Sequence, residues 1–423
     1  MSSPVSSPLS ERVRIVGGGL TGLLAAFQAH QLGARDITIY ERLDRIGGIA
    51  LPECVDGMEM REGCIYFGPA GDPIRSLLEA HGVRFEEFPN RFGSVSPAVD
   101  GAVHTEDFGG PALRTDSLRL DRPVGPSLAD RLASYDDSLA RPLQDYVHWH
   151  TGMTSEKLHA DAAIPLAINR VFPTGVDVGD VAAAKQADAL ADDLFGVPRG
   201  LWGYAPNGTA SLPIGGFTTL FAQCRKALDA IGVTLHDSSM VSAKQLLAER
   251  TPDCTTVWAA SPMALFKPLG LAAPRAPARK FATLTFAAEW RGPLPFYVQN
   301  FTGTGSCFRA YIYESDGRTL LTAECVQAPE PETLAREIDD LLAGFDGALV
   351  LGEVLHRTVK PRWLYHSVET ISALAALRRK LFAMHGDRFV CGAWEAYAKG
   401  SKFAEVESAL SRALDPAGMA RAS

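Results

Sequence analysis

The chain has 423 residues, of which 46% are hydrophobic and 21% are charged, a composition that is ordinary for a folded protein. This length exceeds what one hydrophobic core usually organises, so we expect two domains. The formal net charge of −8, without a dense run of lysine or arginine, argues against a nucleic-acid-binding surface. No apolar run is long enough to span a bilayer, which argues against membrane insertion.

The amino terminus and the cysteines indicate the cellular setting. Residues 1–10 are rich in serine and proline and lack the basic and apolar parts of a signal peptide, so we expect a disordered lead-in. The seven cysteines are scattered and never spaced as Cys-x-x-Cys, which predicts reduced thiols in the cytoplasm.

His148 and His150 form the only close histidine pair, and without further ligands nearby we expect them to pack in the core. We therefore predict no metal site.

The first motif is Gly-x-Gly-x-x-Gly, formed by Gly17, Gly19 and Gly22 after a predicted strand over 13–16, and it gains its force from the elements that follow it. Gly17 permits a tight turn, and Gly19 lets the backbone approach a pyrophosphate. Gly22 permits close packing of the following helix on the strand. The motif therefore predicts a dinucleotide site.

A helix start and a carboxylate complete this motif. The free N–H groups at the start of the helix, around Leu20 and Thr21, would face the phosphates. A second predicted strand, over 37–41, ends in the carboxylate of Glu41, which follows Gly22 by nineteen residues and precedes Arg42. A carboxylate at this spacing binds a ribose hydroxyl. Strand, turn, helix, strand and acid come in the required order, which predicts an α/β, Rossmann-like domain.

A second glycine pair, Gly47 and Gly48, follows the carboxylate. Here the sequence resembles the FAD-dependent amine oxidase and protoporphyrinogen oxidase superfamily, which includes UDP-galactopyranose mutase. The resemblance implies that FAD is the cofactor and that the backbone runs beneath its diphosphate and ribityl chain, where a Cβ would collide. Amine oxidases usually have arginine at the next position, whereas this chain has Ile49, which weakens assignment to the amine-oxidising branch.

The superfamily builds its FAD-binding domain from separated blocks, which here correspond to residues 11–90, 205–265 and 350–415. The remaining segments, 91–204 and 266–349, would form a discontinuous α+β substrate domain. Three runs rich in β-forming residues predict an antiparallel sheet in that domain: 281–286, 307–313 and 319–325.

The resemblance also implies further cofactor contacts, at Phe67, Val241, Gly392 and Ser401. Phe67 would belong to a strand under the flavin ring, and the backbone near Val241 would contact the adenine. Gly392 would lie beside the diphosphate. A capped helix starting near Ser401 would direct its positive end at the flavin N1/C2=O edge, where Lys399 and Lys402 would add positive charge.

Arg309 and Glu324 lie on neighbouring predicted strands. Their arrangement is similar to the sheet of UDP-galactopyranose mutase-like flavoproteins, in which arginines bind the diphosphate of a nucleotide sugar, so Arg309 could clamp an anionic substrate. A cross-strand ion pair between the two residues is the alternative. Other arginines that could serve a diphosphate are Arg170, Arg199 and Arg362.

The remaining catalytic candidates come from the residues before and within the third block. Tyr365, His366 and Trp394 could line the substrate cavity, with Tyr397 as a further wall. His366 and Glu395 are candidates for a catalytic base, and Lys280 is a candidate for the lysine that holds a water at flavin N5, in a register uncertain by one residue.

These features favour an FAD-dependent oxidoreductase that oxidises a small molecule by hydride transfer to flavin N5. A redox-neutral, mutase-like enzyme acting on a nucleotide sugar is the first alternative. A flavin-binding scaffold without catalytic activity is the second. The sequence does not indicate the oligomeric state.

Overall fold

A computed structural model gives the fold of this chain. It describes residues 12–63, 66–89, 91–98, 101–105, 114–115, 125–135, 137–168, 172–173, 183, 209–249, 253–275, 279–361 and 365–414. The predicted lead-in at 1–10 and the candidate residues Arg170, Arg199 and Arg362 lie outside these ranges.

The described strands, in chain order, are β1 (Arg12–Val16), β2 (Asp36–Tyr40), β3 (Glu53–Val55), β4 (Met58–Met60), β5 (Phe85–Pro89), β6 (Arg91–Ala98), β7 (Gly101–Thr105), β8 (Arg114–Thr115), β9 (Phe172–Pro173), β10 (Thr209–Pro213), β11 (Thr234–His236), β12 (Cys254–Trp258), β13 (Lys280–Trp290), β14 (Phe296–Asn300), β15 (Cys307–Ser315), β16 (Arg318–Cys325), β17 (Leu349–Pro361) and β18 (Phe389–Cys391). The described helices are α1 (Leu20–Gln31), α2 (Pro73–Ala80), α3 (Leu128–Leu132), α4 (Asp137–Thr151), α5 (Gly216–Ala230), α6 (Ala243–Ala248), α7 (Met263–Phe266), α8 (Pro331–Leu342), α9 (Val368–His385) and α10 (Lys399–Leu414).

A five-stranded parallel sheet carries the glycine motif, in the order β11-β2-β1-β12-β18. Val13, Ile15 and Ile39 are fully buried in it, because helices cover both faces of a parallel sheet. The crossover from β1 to β2 is α1, whose residues from Gly22 to Ala29 are all buried. This unit confirms the predicted Rossmann-like α/β domain.

A second, seven-stranded sheet has the strand order β17-β13-β16-β15-β14-β6-β7. Adjacent strands in this sheet are antiparallel, except that β14 and β6 are parallel to each other. The three predicted strands are β13, β15 and β16, so the predicted antiparallel sheet is confirmed. The predicted boundary at residue 350 does not follow this sheet, because β17 extends to Pro361 and pairs with β13.

The two faces of this sheet differ in chemistry. Ala282, Leu284, Ile312 and Leu321 pack in one apolar core with helix α8. The opposite face presents buried polar and aromatic side chains: Thr283, Thr285, Tyr297, Gln299, Arg309, Tyr311, Tyr313, Thr322 and Glu324. We call these nine residues the polar sheet face.

Three sequence-based expectations differ from the structure. The sequence predicts a helical stretch from Leu128 through Tyr146, which the structure divides between α3 and α4. It also predicts a returning strand near Met240 and Val241, but these residues lie in the connection between β11 and α6. The spacing of His148 and His150 would place both on one face of a strand, but they lie on helix α4, where only His150 is buried.

Candidate functional site

The turn after β1 has the backbone that its glycines predict. Gly17 has φ +106°, and a Cβ there would lie 3.0 Å from the Ala260 nitrogen. A Cβ on Gly22 would lie 1.9 Å from the Gly17 carbonyl oxygen. The fold itself therefore requires glycine at both positions, with or without a ligand.

Gly19 is different. Its backbone is extended, with φ −73° and ψ 176°, which any residue adopts. A Cβ on Gly19 would have only the Gly48 Cα within 4 Å, at 3.8 Å, whereas a Cβ on Gly48 would lie 3.1 Å from the Gly19 Cα. The two turns are joined by a hydrogen bond from the Gly47 N–H to the Gly18 carbonyl, 2.8 Å long.

Gly19 and Gly48 thus face each other across a surface without side chains. Gly47, which has φ +115°, is fixed by packing, since a Cβ there would lie 2.8 Å from the Phe221 ring. Packing leaves free space for a Cβ at Gly19, so the fold by itself does not require glycine at this position. The cradle fits the diphosphate of a dinucleotide.

Glu41 lies directly after β2 and is buried. Its Oε2 accepts a hydrogen bond from the Gly18 N–H at 2.6 Å, and its Oε1 accepts one from the Leu43 N–H at 2.8 Å. Each carboxylate oxygen has a second lone pair, so both can still accept from ribose hydroxyls. Arg42 is exposed beside it.

The segment that leads to Val241 follows the backbone of Glu41. The Glu41 N–H donates to the His236 carbonyl, and the Ser239 N–H donates to the Glu41 carbonyl, each at 2.8 Å. Val241 is half-buried two residues further on. This places it on the Glu41 side of the cradle, and its adenine contact stays a prediction.

Helix α10 begins at Lys399, two residues before the start that the sequence predicts near Ser401. Ser401 is exposed in the first turn of that helix. The Lys399 ammonium donates to the Tyr66 carbonyl and lies 4.8 Å from the centre of the Phe67 ring. These contacts attach the start of α10 to the segment predicted to lie under the flavin.

A small cavity lies between the starts of α1 and α10. Leu20 and Thr21 line it from α1, and Lys399 and Lys402 line it from α10. Burial lowers the pKa of Lys402. Leu24, Phe403 and Val406 also line it, so the cavity is largely apolar, and Lys399 and Lys402 are its charged members.

Contacts within the protein fix the positions of Phe67 and Gly392, two of the predicted cofactor contacts. Phe67 is buried, its N–H donates to the Ser211 carbonyl at 2.9 Å, and its ring is stacked on Phe217. A Cβ on Gly392 would lie 2.7 Å from the Trp258 carbonyl oxygen, so glycine is needed for β18 to pack beside β12. That contact also brings Gly392 beside Ala259, which lies against Gly17.

Hydrogen bonds join the polar sheet face to the first block. The Tyr311 hydroxyl accepts from the Gly63 N–H at 2.8 Å, and the Tyr313 hydroxyl accepts from the Arg61 N–H at 3.0 Å. The second sheet is therefore fixed to the chain segment that runs into Tyr66 and Phe67.

Arg309 and Glu324 form the predicted cross-strand ion pair. They are register partners on β15 and β16, and the Arg309 Nε donates to Glu324 Oε2 at 2.5 Å. Glu324 is only 1% exposed. This guanidinium is therefore already paired with a buried carboxylate, and a clamp on an anionic substrate would compete with that pair.

The three candidate cavity residues, Tyr365, His366 and Trp394, differ in their hydrogen-bond partners and packing. The buried Tyr365 hydroxyl lies 2.7 Å from His150 Nε2. His366 lies with its Nε2 3.0 Å from the Trp394 carbonyl oxygen, and burial is the largest cause that lowers its pKa. Trp394 packs in an apolar core and donates its indole N–H to the Trp258 carbonyl at 3.2 Å. Its contacts are those of a core residue rather than of a cavity wall.

Three weaker candidates are placed as follows. Lys280 alternates with Phe281 and Thr283 along β13, so it lies on the side of the sheet away from the polar sheet face. Glu395 forms an ion pair with Arg378 at 2.8 Å, which does not favour it as a base. The Tyr397 hydroxyl accepts from the His366 N–H at 2.5 Å.

Two buried polar residues were missed by sequence reasoning. Glu59 accepts from the Phe217 N–H at 3.0 Å and the Thr218 N–H at 2.7 Å, so it caps the start of α5. The sequence signal that could have indicated this cap is the glycine pair Gly215 and Gly216. A Cβ on Gly216 would lie 2.5 Å from Glu59 Oε2, so glycine leaves room for the capping carboxylate. The second is His150, which the sequence treated as ordinary packing.

Two classes of site do not occur in the described part of the chain. No three His, Cys, Asp or Glu side chains there come together as a potential metal site. None of the helices in those ranges combines the length and hydrophobicity needed to cross a membrane.

Comparison with known proteins agrees with this geometry. Residues 15–80 match the family model described as an NAD(P)-binding Rossmann-like domain. The structure is similar to that of reduced UDP-galactopyranose mutase, with a TM-score of 0.65, 13% identity and 96% of each chain covered. It is also similar to putrescine oxidase bound to putrescine, with a TM-score of 0.53, 15% identity, and 98% of this chain and 100% of that chain covered.

The chain shares the fold of these two enzymes over nearly its whole length. The resemblance read from the glycine motifs is thereby confirmed at the level of the fold. Among curated proteins, tryptophan 2-monooxygenase from Pseudomonas savastanoi is 34% identical over 76 residues. That match spans 17% of this chain and 14% of the relative.

Proposed function

We propose that this chain is an FAD-dependent oxidoreductase that oxidises a small-molecule substrate. The observation that carries the proposal is the side-chain-free surface between Gly19 and Gly48, beside the buried carboxylate of Glu41. A bound flavin would supply the chemistry by accepting a hydride at N5.

The chain's own residues would then bind the cofactor and stabilise charge on it. The N–H groups at the start of α1 would donate to the diphosphate, and Glu41 would accept from the ribose. The start of α10 and its Lys399 and Lys402 would provide a positive field for negative charge on the reduced ring, worth about 0.3–2 kcal/mol for the helix end.

The substrate would lie between the cofactor and the polar sheet face. This face is buried, so it excludes water and strengthens hydrogen bonds to a substrate. The relatives of similar fold include a putrescine oxidase, which supports a small amine as one class to test.

The first experiment is reconstitution. The purified protein is incubated with FAD and separated from free cofactor, and its flavin absorbance is measured. It is then mixed with small amines and with nucleotide sugars. Bleaching that depends on an added compound, with oxygen consumption or transfer to another acceptor, supports the proposal. A protein that stays colourless in excess FAD contradicts it.

The same experiment separates the two alternatives. A redox-neutral enzyme acting on a nucleotide sugar would need prereduced flavin and would be thermally stabilised by nucleoside diphosphates. A non-catalytic scaffold would bind flavin and show neither behaviour. The pairing of Arg309 with Glu324 makes the nucleotide-sugar alternative the weaker one, since that guanidinium is already neutralised.

We also propose a cytoplasmic location. The described cysteines are all free thiols, and this is usual in a reducing compartment. Non-reducing mass mapping of the protein isolated from its native cells would test this, and a native disulfide would contradict it.

A further inference from the structure

Gln28 is a buried polar residue that the proposed function does not use. It lies on α1 and is 2% exposed. Its Nε2 donates to the Phe403 carbonyl of α10 at 3.2 Å, whereas its Oε1 is buried without a hydrogen-bond partner in the described part of the chain. Buried polar atoms are normally satisfied by protein groups or by ordered water, so this oxygen indicates a ligand.

The cavity between the starts of α1 and α10 adjoins this side chain. Gln28 lines it together with Thr21 and Lys402, and its volume is about 30 Å³. A water molecule needs about 10–15 Å³ of cavity, so one or two molecules fit. The Lys402 ammonium does not itself bond to Gln28, because Oε1 has no partner.

The polar groups on the cavity wall determine what can occupy it. The Lys402 ammonium only donates hydrogen bonds, Gln28 Oε1 only accepts them, and the Thr21 hydroxyl can do either. A simple anion could accept from Lys402 but has no proton for Oε1, and a cation would be repelled by the ammonium. An apolar molecule would leave Oε1 unsatisfied. A neutral molecule that both donates and accepts suits all three groups, and at this size that molecule is water.

The rest of the cavity wall restricts where a water can bind. Leu24, Phe403 and Val406 are apolar, and the ammonium of Lys399 donates to the Tyr66 carbonyl. A wholly apolar cavity stays dry, whereas a buried water needs two to four polar partners. The amide, hydroxyl and second ammonium named above supply that number, so the water is confined to their part of the cavity.

Water also has a route to this position. Gln28 lines a second, larger groove between the same two helices, with a volume of about 360 Å³. Gln31 and Glu407 are among the other residues of that groove. Gln28 is thus shared by the groove and the cavity, and a movement of its side chain would let water exchange between them.

We propose that one water molecule binds in this cavity as a bridge between α1 and α10, donating to Gln28 Oε1 and accepting from the Lys402 ammonium. Gln28 and Phe403, which the direct hydrogen bond joins, are 375 residues apart, so the water adds a second link between distant parts of the chain. Burial lowers the pKa of Lys402, and donation to a water favours its charged form. The inference goes beyond the proposed function, because it requires no cofactor.

The first test is a crystal structure of the full-length wild-type protein. An ordered water is expected within hydrogen-bonding distance of both Gln28 Oε1 and Lys402 Nζ. A cavity without water, a direct bond between the two side chains, or a water that contacts only one of them would overturn the inference.

The second test removes the acceptor. Gln28→Met keeps the length of the side chain without its polar atoms, and Gln31→Met makes the same change at an exposed position of α1 as the control. The water should be absent from crystals of Gln28→Met and unchanged in those of Gln31→Met. A water that keeps its position in Gln28→Met would show that Oε1 does not hold it, and the inference would fail.

A double variant tests the bridge in solution by urea unfolding. Lys402→Met removes the donor to the water and leaves Gln28 Oε1 poorly satisfied, so the unfolding midpoint should fall. Adding Gln28→Met removes that oxygen as well, so the double variant should unfold at higher urea than the sum of the two single shifts predicts. Shifts that add would overturn the bridge. The assay uses no flavin, so its result is independent of the reconstitution experiment.

Discussion

Two glycines of the same motif are expected to respond to substitution in opposite ways. In Gly22→Ala the new Cβ lies 1.9 Å from the Gly17 carbonyl oxygen, so α1 must move away from β1. Such overpacking costs about 1–3 kcal/mol of unfolding free energy. In Gly19→Ala the backbone is already extended and the nearest atom is 3.8 Å away. Restricting the unfolded chain should stabilise this variant by about 0.4–1 kcal/mol.

The assay is urea unfolding of the two variants without cofactor, together with the flavin absorbance that each retains after incubation with FAD. Gly19→Ala should be at least as stable as the wild type and bind FAD more weakly. Gly19→Val, which adds two methyl groups to the Cβ, should lose FAD altogether. The Gly22→Ala protein should unfold at lower urea. Full FAD occupancy in Gly19→Val would refute our placement of the diphosphate.

Three other predictions concern buried groups. Glu41→Ala should cost about 1–3 kcal/mol in urea unfolding, because the Gly18 N–H loses its acceptor, and should weaken FAD binding; unchanged stability would contradict this. Arg309→Ala should cost about 3–5 kcal/mol because it removes the ion-pair partner of the buried Glu324 carboxylate, and adding Glu324→Ala should recover part of that loss in the same assay. Iodoacetamide should modify the exposed Cys54 but not Cys224 in the native protein at neutral pH, since burial raises the pKa of Cys224 to about 12 and keeps it a thiol; peptide mass mapping checks both.

The Rossmann-like domain could be predicted because its requirements are local in sequence. The turn at Gly17, the contact of Gly22 with β1 and the position of Glu41 all follow from residue spacing. The strands of the second sheet were also predictable, since each is a continuous β-forming run. Their order was not, because β17 joins β13 across about sixty residues of chain, and sequence spacing does not encode such a pairing.

The substrate side could be predicted less well. Side chains alternate between the two faces of the sheet along β13, and this alternation decides which face Lys280 occupies. A register error of one residue moves the predicted lysine to the opposite face. The sequence around Arg309 is the same whether this side chain binds a ligand or pairs with Glu324. Only the cross-strand register, which the sequence does not show, distinguishes the two roles. His150 was assigned to packing because its partner, Tyr365, is 215 residues away.

The two hydrogen bonds that hold Glu41 would affect how quickly the proposed cofactor is taken up. Amides from both turns fix the carboxylate without any ligand, at 2.6 Å and 2.8 Å. The entropy of ordering this side chain is therefore lost during folding, before a nucleotide arrives. Uptake at this end of the cradle then needs no slow rearrangement, and its observed rate should rise linearly with cofactor concentration.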